Sequence, residues 1–196
     1  MFAPVLGIDP GVSRCGYGAV VRGAARQRDL RALRCGVIST PPAEPLEFRL
    51  LTIANELDAL LSEIRPSAIA VERVFFQTNV RTAMSVGQAS GLVLVAAARA
   101  GIPVAQYTSN EVKQAVVGYG GADKAQVQAM VQAILGLDEP PRPPDAADAL
   151  ALAICHLSVG PMREKISATA PAETGRLLSK GTLPGLAAAI ERAVAK

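Results

Sequence analysis

Histidine is nearly missing from this chain: His156 stands alone in 196 residues. That excludes a His-rich metal site, and a Ser-His-Asp hydrolase built around any other imidazole. Cysteine is scarce as well. Cys15, Cys35 and Cys155 are odd in number and lack CxxC spacing, which fits reduced, buried thiols in a cytosol better than disulfides or a zinc site. No uncharged apolar stretch comes near the ~20 residues that span a bilayer; the longest, residues 91–98, is too short. No basic leader precedes the first apolar residues and Asp9 interrupts them, so a secretory signal is not expected. A one-signed charge is also lacking from most of the chain. Residues 161–196 carry six Lys/Arg against three Glu, whereas residues 1–160 carry fourteen of each sign. Bulk charge therefore does not announce a nucleic-acid binder.

What is present is apolar material in quantity. Half the residues are hydrophobic, and the length suits one domain with a sizeable core plus a short appendage. Three strand-like runs, about 4–9, 16–22 and 32–39, are separated by turn-like stretches. Apolar residues at helical spacing predict a helix over 46–64, stopped before Pro66. A fourth strand, 68–71, is capped by Glu72; a long helix over 79–100 ends at Gly101; a fifth strand covers 102–107. Thr108 or Ser109 caps a helix to about 116, Gly118, Gly120 and Gly121 form a flexible loop, and helices follow over 123–135 and 145–157. Three consecutive strands predict an antiparallel meander, and the later alternation requires parallel crossovers. The expected fold is α/β, a mixed five-stranded sheet flanked by helices. Residues 1–158 form the domain and 159–196 a flexible, weakly basic tail, with one weak helix over 183–195.

Asp9 ends the first strand and Glu72 the fourth, and both strands are apolar on both faces, as central strands are. Parallel neighbours lie ~4.8 Å apart, so the two carboxylates would meet at one edge, where α/β folds place ligands. Repulsion then requires a proton on one of them or a cation between them. Asp145 and Asp148, three apart at a helix start, share a face. Each acid also has an ordinary reading: Asp9-Pro10-Gly11 as a turn, Glu72 as a surface acid, the Asp pair as helix-dipole partners. Their convergence suggests an all-oxygen site for a hard cation, Mg²⁺ or Mn²⁺. Two such ions suit phosphodiester chemistry.

The segments "GIDPGVSRCGYG" (7–18), "VERVFFQTN" (71–79), "VGQASG" (86–91), "VKQAVVGYGGADKAQVQAMV" (112–131) and "PPDAADALALAICH" (143–156) resemble, in order, the RuvC Holliday-junction resolvases. The resemblance covers about residues 4–157 and implies a ribonuclease H-like fold and a homodimer. It implies Mg²⁺-dependent paired nicking of four-way DNA junctions, in recombination and repair, beside the RuvA–RuvB branch-migration motor. It makes Asp9, Glu72, Asp145 and Asp148 the metal-holding acids; some members have His where this chain has Asp145. Lys113 and Lys124, the only lysines in the first 160 residues, match two basic residues near the scissile phosphate. Phe75 matches an aromatic that stacks on a junction base.

Phe76 reads as core or as a second DNA contact, and Arg81 and Arg73 as candidates for the DNA path. Gly87 and Gly91 would let a second helix approach, which makes helix 79–100 the expected dimer seam. Cys155 and His156 read as core. Two other classes compete: an ATP-using protein of the actin-like class, which needs two duplicated lobes, and a junction-binding scaffold without chemistry.

Overall fold

The computed structural model describes residues 3–23, 29–73 and 80–169, with the backbone alone for 80–82 and 161–169. Phe75, Phe76, the side chain of Arg81 and the expected helix over 183–195 lie outside the described residues. The chain divides into two units, Met1–Pro161 and Met162–Lys196; of the second, residues 162–169 are described, as helix.

Strands β1 (Val5–Asp9), β2 (Arg14–Arg22) and β3 (Leu30–Ser39) come first, then helix α1 (Leu46–Ile64), β4 (Ala68–Glu72), α2 (Val80–Ala100) and β5 (Val104–Tyr107). Helices α3 (Ser109–Val117), α4 (Lys124–Leu135) and α5 (Pro144–Thr169) complete the order. The sheet runs β3-β2-β1-β4-β5. The first three strands are antiparallel, and β1–β4 and β4–β5 are parallel. The mixed five-stranded sheet is the one the element order predicts.

Alternation along the strands divides the core. Leu6, Ile8, Ile69 and Val71 face α1 and α2, while Val5, Ala70 and Tyr107 face α3, α4 and α5. Three glycines on the second face decide how close α5 comes. A Cβ on Gly7 would sit 1.9 Å from the Ala149 carbonyl oxygen, and one on Gly16 2.1 Å from that of Asp145. On Gly18 it would lie 2.8 Å from Leu150. Helix α5 therefore rests directly on backbone, and its small residues Ala146, Ala149 and Ala153 are fully buried there.

Two expectations need correction. Helix α5 runs to Thr169, well past Leu157, through Gly160 and Pro161. Proline has no N–H to give the Leu157 carbonyl, and the Arg22 guanidinium donates to that oxygen instead. Cys35 is exposed, because β3 is an edge strand, whereas Cys15 and Cys155 are buried as expected. Residues 83–100 of α2 are, by length and composition, sufficient to cross a membrane. In the fold Ala89, Val93, Ala96 and Ala97 of that helix pack on the sheet.

Candidate active site

The register of β1 and β4 pairs Ile8 with Val71, so Asp9 and Glu72 are the next residues on adjacent parallel strands. Ile8 and Val71 both point towards α1 and α2, so alternation turns both acids towards α5. The cavity there, about 160 Å³, is lined by Asp9, Glu72, Ser109, Lys113, Lys124 and Asp148, with an apolar wall that includes Val112 and Leu152.

Each surrounding helix arrives with its end fixed by its own sequence. Helix α3 starts with a reciprocal capping box in which the Thr108 hydroxyl accepts from the Glu111 N–H and the Glu111 carboxylate from the Thr108 N–H. Asp123 and Gln126 do the same for α4. These caps set Lys113 one turn into α3 and make Lys124 the first residue of α4. Tyr107, at the end of β5, is wholly buried and its hydroxyl lies 2.8 Å from His156 Nδ1 of α5. That bond ties the strand leading into α3 to the helix that carries the aspartates. His156 is thus a core residue, as its apolar surroundings predict.

Acids from β4 and α5 bear on Asp9 here, and one from α5 on Glu72. Burial pushes the Asp9 carboxyl from 3.8 up to about 7, and the charges of Asp148, Glu72 and Asp145 add to the rise, with Lys124 opposing it. The Glu72 carboxyl is also raised, chiefly by burial and then by Asp148. The ammonium of Lys124 lies 3.3 Å from Asp148 Oδ2, and the charge of Asp148 raises its pKa. Asp145 stands apart: it is absent from the cavity lining, and its Oδ2 accepts from Nε of Arg14 at 2.8 Å.

The donor chemistry fits a divalent cation. Every candidate ligand is a carboxylate, which selects a hard ion, and Asp9 registers surplus negative charge that an ion would relieve. Among the described residues no three acids close around one point; the helical pair is engaged by Arg14 and Lys124, two internal cations. Of the residues singled out in the sequence, the structure brings Asp9, Glu72, Asp148, Lys113 and Lys124 together at one cavity, and leaves Asp145 outside its lining. Sequence reasoning passed over the Arg14 contact to Asp145, although Arg14 lies within the 7–18 segment, and the glycine floor, whose trace is Gly7, Gly16 and Gly18 at alternate positions of neighbouring strands.

Known proteins resemble this chain over most of its length. The family described as "Crossover junction endodeoxyribonuclease RuvC" matches residues 5–156. The protein of that name from Salinispora arenicola (strain CNS-205) is 55% identical over 166 residues, 85% of this chain and 94% of that one. The structure of Thermus thermophilus RuvC in complex with a Holliday junction substrate superimposes with a TM-score of 0.76 at 44% identity, covering 82% of this chain and 96% of that one. The yeast mitochondrial resolvase Ydc2, at 13% identity and a TM-score of 0.59, shares the fold over 84% of this chain and 81% of its own.

Proposed function

From the premise that this chain belongs to the RuvC family of crossover junction endodeoxyribonucleases, we propose that it resolves four-way DNA junctions by symmetric, metal-dependent phosphodiester hydrolysis, the paired strand cuts serving recombination and DNA repair. The observation that carries this is a cavity lined by Asp9, Glu72, Asp148 and two lysines, with the charges of Glu72, Asp145 and Asp148 all bearing on Asp9. The fold is ribonuclease H-like. The nuclease unit is assigned to residues 1–158, in keeping with a family match that ends at residue 156, and 159–196 to an appendage.

Asp9, Glu72, Asp145 and Asp148 would hold two Mg²⁺ ions, with Mn²⁺ as an alternative. The ions would activate the attacking water and stabilise the leaving oxygen. The chain itself does the rest. Asp9 must surrender the proton its raised pKa retains, because a protonated carboxyl is a poor ligand. Lys113 and Lys124 supply compact positive charge at the cavity wall, suited to non-bridging phosphate oxygens. The apolar wall limits competing water. Phe75 is assigned to stacking on a junction base, with Phe76 and Arg81 as further DNA contacts.

Two symmetric cuts need two sites, and α2 is proposed as the seam of a homodimer. One of its faces packs on the sheet. On the rest, nothing lies within 4 Å of a Cβ built at Gly87 or Gly91, and Met84, Leu94 and Val95 are exposed. Action beside RuvA–RuvB and a cytoplasmic location complete the reading. The test is a synthetic mobile four-way junction with Mg²⁺: the wild type makes paired nicks and Asp9→Asn none. Binding without cleavage by the wild type supports the scaffold reading instead.

A further inference from the structure

Arg14 is the first residue of β2, two before Gly16 and so on the face that carries α5. Gly16 and Gly18 let the helix descend onto the sheet; Arg14 is where that floor ends and a long side chain begins. Its guanidinium reaches the first turn of α5: Nε donates to Oδ2 of Asp145 at 2.8 Å, and Nη2 forms an ion pair with the same oxygen, also at 2.8 Å. Both contacts use the same oxygen, so among the described residues Oδ1 of Asp145 is open to another partner. The other helical aspartate, Asp148, lines the cavity together with its lysine, whereas Asp145 and Arg14 do not. Half of the Arg14 side chain is exposed, and 29% of Asp145. The pair is thus partly open to solvent and outside the cavity lining, while the charge of Asp145 still reaches Asp9.

We propose that Arg14 is a positioning residue for Asp145, holding that carboxylate outside the cavity lining until a divalent ion is captured and then passing its guanidinium to a phosphate of the DNA strand. This rests on reading the four acids as the metal site. No bond is made or broken; one ion pair is exchanged for two. A carboxylate that leaves Arg14 for the ion frees a planar, permanently charged group that matches phosphate geometry. Ion binding and DNA binding then strengthen one another, and the coupling is reciprocal.

The test uses the full-length protein, with thermal melting as a check on folding. Mn²⁺ is titrated by electron paramagnetic resonance without DNA, and junction affinity is measured by anisotropy with and without Ca²⁺. Arg14→Gln removes the competitor for Asp145, so Mn²⁺ binds about three- to fivefold more tightly, the scale of a half-exposed ion pair. The gain in junction affinity that Ca²⁺ brings shrinks by a similar factor. In an Asp145→Asn background the effect of Arg14→Gln on Mn²⁺ falls below about twofold, as a shared contact requires. Unchanged or weaker Mn²⁺ binding by Arg14→Gln overturns the proposal, and an undiminished Ca²⁺ gain overturns the transfer to DNA. Should Arg14→Gln fail to fold, Arg14→Lys decides, since its ammonium lacks the two-nitrogen grip: Mn²⁺ affinity equal to wild type refutes the latch. Absence of Mn²⁺ binding by the wild type refutes the four-acid metal site instead.

Discussion

Replacing Asp9 by asparagine should abolish cleavage and yet stabilise the metal-free protein. In the folded state the Asp9 carboxyl titrates near 7, against 3.8 ordinarily, mainly because it is buried and secondarily because Asp148, Glu72 and Asp145 surround it. Between those two values the folded protein holds a proton that the unfolded chain has already lost. Stability therefore falls as pH rises through that window and levels off above it. The interval corresponds to a ceiling of about 4 kcal/mol, and relaxation around a partly exposed site brings the expected penalty to about 2–4 kcal/mol. Asparagine keeps the shape and discards the charge. In EDTA at pH 8, Asp9→Asn should melt some 5–10 °C above the wild type, and the two should converge near pH 4. Saturating Mn²⁺ should reverse the order by stabilising the wild type alone. Its affinity for the wild type should drop roughly tenfold per pH unit below 7, as the ion displaces the Asp9 proton. Calorimetric melts across this pH range decide the matter. A variant no more stable than wild type at pH 8, or a gap that ignores pH, would show that burial and the neighbouring acids do not raise the Asp9 pKa.

Four further outcomes are expected. Gly16→Ala drives a methyl into the Asp145 carbonyl, 2.1 Å away, and should cost about 2–3 kcal/mol in chemical denaturation while lowering turnover; a neutral result would mean α5 shifts freely. Lys113→Ala and Lys124→Ala should reduce single-turnover cleavage far more than junction affinity, and equal losses would mark them as backbone anchors. Tyr107→Phe removes the hydroxyl facing His156 and should cost about 1 kcal/mol on denaturant unfolding; no measurable loss would show that the bond contributes nothing. Gly91→Arg, at a position with open space around it, should preserve the melting curve while turning a sedimenting dimer into monomer. A wild type that sediments as monomer at micromolar concentration would remove α2 as the seam.

Much of this protein is legible because its strands are short and apolar. Val5 to Ile8 and Ala68 to Val71 have no polar side to offer solvent, which forces them to the middle of a sheet and their terminal acids together. The helix over 46–64 follows directly from its apolar spacing, and the observed bounds are the same. What escaped depends on contacts far apart in sequence. That α5 continues through Pro161 turns on Arg22, 135 residues from the carbonyl it serves. Arg14 and Asp145 are 131 residues apart, and no local pattern links them. The exposure of Cys35 follows from which strand ends the sheet, and composition does not encode strand order.

The bare floor beneath α5 has a consequence for how such a site could change over time. The gap between strand acids and helix acids is set at Gly7, Gly16 and Gly18, positions that offer no charge, proton or ligand. Chemistry at the carboxylates can be exchanged, one donor for another, without disturbing the spacing. The smallest added methyl at the floor alters the spacing without touching the chemistry. Distance and reactivity are thus inherited through separate residues, and the silent ones tolerate the least.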